Sequence, residues 1–209
     1  IEMIDFKFHC KMPIMVCRQW VRHRTSSTNE ISGRYSVMKD EFYSPELANV
    51  RLQSKTNKQG GDQPIAAVDA EEFLSYLTDL TESSYAQYLK DIEKGISREQ
   101  ARMSLPLNLY TEFYWKINLH NLLHFLSLRC DSHAQWEIRV FADAILSLIT
   151  PIVPWTVEAF NDYHPMRGAV KLSRLEVEAI SQALEGLKVG VLASDNKREQ
   201  AEWVEKAKK

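Results

Sequence analysis

Glycine is scarce here, seven in 209 residues, and none of the seven falls in a GxGxxG or GxxxxGKS/T run. Any dinucleotide this chain binds is therefore held without a Rossmann turn or a P-loop. Cysteine is scarcer still. Cys10, Cys17 and Cys130 are odd in number, scattered and without a CxxC pair, which argues against a disulfide framework or zinc knuckle and reads as a reduced, intracellular protein. No apolar run approaches the length of a membrane span and no signal peptide is visible, so a cytoplasmic protein with no membrane partner is expected. Neither sign of charge dominates: the net charge is -2 and the pI about 6.3. That balance argues against a nucleic-acid partner held by a global field, and leaves anion binding to local clusters. Repeats and low-complexity tracts are absent. What remains, 44% hydrophobic and 26% charged residues, is the make-up of an ordinary globular chain, long enough for one cored domain and a helical extension.

The periodicities predict the elements. Ile4 to Cys10 alternates apolar (Ile4, Phe6, Phe8) and polar residues, as a half-buried strand does. Pro13 suits a first helical position, and Ile14, Cys17 and Val21 form a stripe on a helix expected to end near Arg22 to Arg24. Arg51 to Pro64, polar and carrying Gly60-Gly61, reads as a mobile loop. Asp69 to Lys94 is a long amphipathic helix, with Asp69 and Glu72 as a capping box, Phe73, Leu77, Leu80 and Tyr88 on the buried face, and Gly95 as the stop. Ser97 and Gln100 cap a short helix carrying Arg102 and ending before Pro106. Leu109 to Ile117 reads as a strand. Asn118 caps a helix with the stripe Leu119, Leu122, Leu123, Leu126. Ala134 to Ile149, stopped by Pro151, Ser173 to Leu187 and Lys197 to Lys208 are further helices. Strands and helices without regular βαβ alternation indicate α+β: a central, mostly antiparallel twisted sheet flanked by helices, with a helical C-terminal part.

The richest stretch is Arg22-His23-Arg24-Thr25-Ser26-Ser27-Thr28-Asn29-Glu30-Ile31-Ser32-Gly33-Arg34-Tyr35. Three guanidinium forks and five hydroxyls are costly to bury unless a multiply charged ligand satisfies them. The competing reading is a solvated loop with ordinary ion pairs to Glu30 or Asp40; the apolar segments on both sides favour a binding site. Ser32 would be a nucleophile only with a base in reach, and the sequence leaves open whether His23 or Glu30 is one. Arg102 and Arg129 flank apolar stripes, where arginines ordinarily snorkel to water. His120 and His124 have metal-ligand spacing, but the acid of HExxH is missing and no metal is expected. His133 reads equally well as a core histidine.

Arg22-His23-Arg24 followed after seven residues by Ser32 closely resembles the signature of the flavin-dependent thymidylate synthases. The likeness extends to Gln19-Trp20, Gly33-Arg34-Tyr35, Ala101-Arg102, Leu105-Pro106-Leu107-Asn108-Leu109-Tyr110, Asn118 and Leu128-Arg129-Cys130-Asp131-Ser132-His133-Ala134-Gln135-Trp136-Glu137, in the family's order. It implies a catalytic domain over residues 1–165, its N-terminal segment apparently missing, and a helical extension over 166–209. In relatives an upstream segment with a His and a Thr/Ser-Pro motif touches the flavin; Met3 stands where some carry His. The resemblance implies methylation of dUMP to dTMP, with methylenetetrahydrofolate as carbon donor, reduced FAD as hydride donor and NADPH as reductant, in a homotetramer with shared sites. By the same resemblance Gln19, Arg22, Glu30, Ser32, Gly33, Arg34, Arg102 and Arg129 bind dUMP. Arg22, His23, Arg24, Thr25, Glu30, Asn118, His120 and His124 line the flavin. Arg129 is the catalytic charge beside uracil N3, and Ser32 a hydrogen-bond donor to dUMP. The alternative from another class is a non-catalytic nucleotide- or nucleic-acid-binding module using the basic loop 22–34.

Overall fold

In the computed structural model, residues 1–55, 60–164, 170–184, 192 and 195–206 are described. The chain divides into two compact units, Ile1–Pro154 and Trp155–Lys209. The first is built on a three-stranded antiparallel sheet of order β1-β5-β2, made of β1 (Asp5–Pro13), β2 (Ser27–Glu30) and β5 (Tyr110–Asn118). Its register decides the core. Phe6, Phe8, Cys10 and Met12 stand opposite Ile117, Trp115, Phe113 and Thr111, so the inward residues of both strands share one face. Helices α1 (Ile14–Trp20), α4 (Leu119–Arg129) and α5 (Trp136–Ile149) supply that core's helical side: Val16, Cys17 and Trp20, then Leu122, Phe125 and Leu126, then Ile138, Ala142 and Ile149, all buried. Trp20 sits at the centre, with the rings of Phe125 at 4.4 Å, Trp115 at 5.0 Å, and Phe113 and Phe141 at 6.4 Å. Truncating such a ring costs about 3–5 kcal/mol.

The predicted α1 ends earlier than its stripe suggested. Val21 is exposed, and the inward residue is Trp20. The reason lies downstream: the hydroxyl-rich run favours extended backbone, and Ser27–Glu30 pairs with Phe113–Lys116 of β5. The signature is thus partly an edge strand rather than a loop. All four of its side chains are exposed, so no apolar alternation announced it.

Arg51–Pro64 also differs from the expected mobile loop. Its ends form a hairpin of β3 (Arg51–Gln53) and β4 (Gly61–Pro64), and residues 56–59 lie outside the described residues. Helix α2 (Ala67–Glu93) starts two residues before the expected capping box. Its N-cap is Ala66, with no side-chain bond, and Asp69 only lends its charge to the first turn. Phe73, on the face expected to be buried, is 46% exposed; the buried positions are Ala70, Thr81 and Tyr88. Gly95, at φ 86°, takes the left-handed position after the helix. Tyr88, Met38, Ala101 and Leu109 form a second core cluster. There the Tyr88 hydroxyl accepts from the Met38 N–H at 3.0 Å and the Tyr85 hydroxyl donates to the Met38 carbonyl at 3.0 Å. The helix thereby pins the chain just after the signature. The short helix α3 (Arg98–Ala101) and a 3-10 turn over Arg102–Ser104 follow.

Asn118 closes β5 and opens α4: its Oδ1 accepts the Asn121 N–H at 2.9 Å. In the second unit, α6 (Pro154–Tyr163), whose first residue closes the first unit, is a helix the periodicity did not announce. α7 (Arg174–Leu184) and α8 (Lys197–Lys206) match the two last predicted helices; residues 185–187, 207 and 208 of those predictions lie outside the described residues. Ala179, Leu192 and Trp203 form this unit's core, and Lys206 pairs with Glu176 at 2.7 Å. Among the described residues no helix is long and apolar enough to cross a membrane.

Candidate active site

Two short helices end at one place. The C-terminal turn of α1 delivers Arg18 and Gln19, the turn just after it Arg22, and the last residue of α4 is Arg129. With His133, Ala134 and Gln135 they line an open cleft of about 470 Å³. A neighbouring cleft of about 430 Å³ is lined by Arg18, Val21, Arg22 and Arg24. Among the described residues none of these four guanidiniums lies within ion-pairing distance of a carboxylate. Arg18 and Arg22 put two like charges on one cleft wall with no carboxylate between them, so the cluster suits an anion that neutralises it. Arg18 is a residue the sequence reading missed; its signal was the four-residue spacing to Arg22.

Arg129 is held from behind. Its Nε–H donates to His23 Nε2 at 3.0 Å. Burial, then the positive charge of Arg129, then His124 push His23 down to about 4. Its imidazole is therefore neutral at ordinary pH, with the Nε2 lone pair occupied by Arg129. The ring stands edge-on to Phe125 at 4.8 Å and near His124 at 6.4 Å. His23 is thus no general base; it aims the guanidinium, and among the described residues no hydrogen bond is made by the two terminal nitrogens of Arg129. Burial also lowers Arg129 somewhat from its ordinary value, but an arginine stays charged.

The remaining predicted residues fall elsewhere. Glu30, at the end of β2, accepts the Thr111 hydroxyl at 2.5 Å. Ser32 Oγ accepts the Arg34 N–H at 3.3 Å; among the described residues no hydrogen bond joins it to His23 or Glu30, so no base is at hand to make it a nucleophile. Arg34 pairs with Glu99 at 3.5 Å, not with Glu30 or Asp40. Gly33 is buried, and a Cβ there would meet Met38 Sδ at 3.0 Å and Arg102 Cδ at 3.4 Å. Ser32, Gly33, Arg34 and Arg102 thus form a second group, none of them a wall of the Arg129 cleft. Arg24, Thr25, His120 and His124 are exposed, and Asn118 is spent as the cap of α4. His133 is a surface residue, not a core histidine, its ring Nδ1 2.8 Å from Asp131.

Burial raises the Cys17 thiol to about 12 and Cys10 to about 11, so neither is a nucleophile. Gln135 and Glu137 carry weight the sequence reading did not assign. Gln135 accepts from the Gln19 amide and donates to Glu137 at 2.8 Å, and Glu137 also accepts the Tyr43 hydroxyl at 3.2 Å.

Fold and site together define an α+β protein with an arginine-lined cleft for an anionic ligand. The family model described as thymidylate synthase complementing protein matches residues 1–155. The chain is 52% identical over 207 residues to a flavin-dependent thymidylate synthase of Dictyostelium discoideum, covering 99% of this chain and 65% of that protein. It is 49% identical over 201 residues to one of Rickettsia bellii, covering 90% and 68%. Its fold is similar to the crystal structure of the UMP/dUMP methylase PolB from Streptomyces cacaoi bound with 5-Br UMP, with a TM-score of 0.72, 31% identity and coverage of 75% and 72%. The chain belongs to the flavin-dependent thymidylate synthase family. It spans about two thirds of the length of those curated relatives.

Proposed function

We propose that this chain methylates dUMP to dTMP as a flavin-dependent thymidylate synthase, with methylenetetrahydrofolate as carbon donor and NADPH as reductant. The observation that carries this reading is the carboxylate-free cleft of Arg18, Gln19, Arg22 and Arg129, in a member of this family. The same relatives' name, flavin-dependent, brings a flavin to the chain, and we assign it as FAD. The donor set fits such a group: Arg22 and Arg24 offer guanidinium forks to a pyrophosphate, and His23 and His124 offer ring edges beside Phe125. Reduced FAD supplies the hydride when bound.

The protein's own part is orientation and charge. Arg22 and Arg34 hold the nucleotide, with Gln19, Glu30, Gly33 and Arg102 completing its contacts. Ser32 contributes a hydroxyl and no covalent bond. Arg129, aimed by His23, sets its positive charge against uracil N3 and stabilises the ring when that nitrogen loses its proton. Arg22, His23, Arg24, Thr25, Glu30, Asn118, His120 and His124 would line the flavin.

The two groups of dUMP residues sit apart within one chain, and α2 leaves Val68, Phe73 and Tyr76 exposed. Both features support a homotetramer whose sites draw on more than one copy. We assign catalysis to residues 1–165, with 166–209 as a helical extension, in the cytoplasm, where thiols such as Cys10 and Cys17 stay reduced. The test is the visible spectrum of the purified full chain and its conversion of dUMP to dTMP with methylenetetrahydrofolate and NADPH. A yellow protein releasing FAD on heating and forming dTMP is expected. A colourless protein with strongly salt-dependent RNA binding would overturn the reading in favour of a nucleic-acid-binding module.

A further inference from the structure

A hydrogen-bond relay runs into the nucleotide cleft from behind, and donor–acceptor chemistry gives it one direction. Glu137 lies on α5, and its ionised carboxylate only accepts. One oxygen takes the Tyr43 hydroxyl at 3.2 Å and the other the Gln135 amide N–H at 2.8 Å. Burial foremost and the charge of Glu137 next push the Tyr43 hydroxyl far above its ordinary value, so it stays a donor. Tyr43 is itself clamped: its N–H donates to the Asn108 carbonyl at 2.9 Å and its carbonyl accepts from Asn108 Nδ2 at 2.8 Å. Because Gln135 must turn its NH2 toward Glu137, its Oε1 faces Gln19. Gln19 must then turn its nitrogen to Gln135 and spend an N–H there, which turns its carbonyl end, Oε1, away from Gln135 toward the cleft it lines with Arg22 and Arg129.

We infer that Glu137 and Gln135 are positioning residues that make Gln19 present an acceptor, not a donor, to the bound nucleotide. This rests on the proposed function, since the ligand is the nucleotide of that site. The charged groups on the cleft wall, Arg18, Arg22 and Arg129, are all donors, so an acceptor there selects a ligand edge bearing an N–H or O–H: a sugar hydroxyl, or the uracil imide before N3 loses its proton. Those two sources share one chemistry and are separable by analogue.

The experiment measures calorimetric binding of dUMP, 3-methyl-dUMP and 3′-deoxy-dUMP to the full chain and to Glu137→Gln, with melting temperature and flavin content as controls. A glutamine at 137 accepts or donates, so the relay loses its direction. Glu137→Gln is expected to weaken dUMP about 3–10-fold, the worth of one neutral hydrogen bond. The analogue lacking the recognised donor should bind wild type weakly and lose nothing more in the variant. Gln135→Leu, which cuts the relay, should behave likewise if Glu137→Gln folds poorly. The reversed pair Gln19→Glu with Glu137→Gln restores a consistent direction and should bind dUMP better than Gln19→Glu alone, although both carry the same charge in the cleft. Unchanged dUMP affinity in both relay variants, or an equal loss for dUMP and both analogues, overturns the relay and leaves the proposed function standing. A wild-type chain that binds no dUMP overturns both.

Discussion

At the scale of single residues the chemistry turns on what holds a charge in place. Arg129 is aimed by a neutral histidine, and two predictions follow from that pair. Arg129→Ala should lower dTMP formation about 10²–10³-fold at saturating dUMP, the cost of a preorganised donor. Arg129→Lys should recover only part, because an ammonium lacks the planar fork; steady-state assays normalised to flavin content check both. The second concerns acid. Burial foremost, then the charge of Arg129, pushes His23 down to about 4 in the folded chain, against about 6.5 unfolded. Between those values the unfolded state binds the extra proton, so this contribution to stability is whole above about pH 6.5, falls as pH drops, and levels off below about pH 4. Urea unfolding across that window should show the slope. His23→Gln, whose carbonyl can still accept from Arg129, should flatten it; an unchanged slope would show that other groups govern it. Of the individual residues, Arg22 and Ser32 were legible because a signature sequence surrounds them. Arg18 and Gln135 were not, because their importance lies in a shared wall and in a partner's orientation, which no local spacing records.

At the scale of elements, junctions matter more than lengths. Asn118 is at once the last residue of β5 and the cap of α4, and α4 carries both Phe125 against His23 and Arg129 into the cleft. Asn118→Ala should cost about 0.5–2 kcal/mol of stability by loss of the cap, read as a lowered denaturation midpoint in urea. If it also lowers flavin retention in the still-folded protein, the residue has the ligand role proposed for it as well. The strands β1 and β5 and the helices α4 and α5 were legible because one face of each is apolar at the right period; α2 was legible as a helix, but of its predicted stripe only Tyr88 is buried. The edge strand Ser27–Glu30 was not: its side chains are all polar and exposed, and it exists because β5 offers unpaired backbone groups. The hairpin of β3 and β4 escaped for the same reason, since backbone pairing leaves no mark on a polar sequence.

At the scale of the whole molecule, the proposed assembly makes its own prediction. Light scattering should give about four chain masses. If Arg102 and Arg129 of different copies serve one site, co-expressed Arg102→Ala and Arg129→Ala chains should form mixed tetramers with more activity than either variant alone. Mixed tetramers no better than the weighted mean of the two parents would show that each chain supplies both arginines. The sequence by itself determined the α+β class, the alternation that builds the core, and the arginine-rich signature, because these depend on residue type and near-neighbour spacing. Only the tertiary structure decided that Gln19, Arg22 and Arg129 share one cleft while Arg34 and Arg102 lie in another group. It alone disclosed that Arg129 donates to a part-buried His23 and that Gln19, Gln135 and Glu137 are joined by hydrogen bonds. Those outcomes depend on burial and on contacts between residues more than a hundred positions apart, which local spacing does not encode.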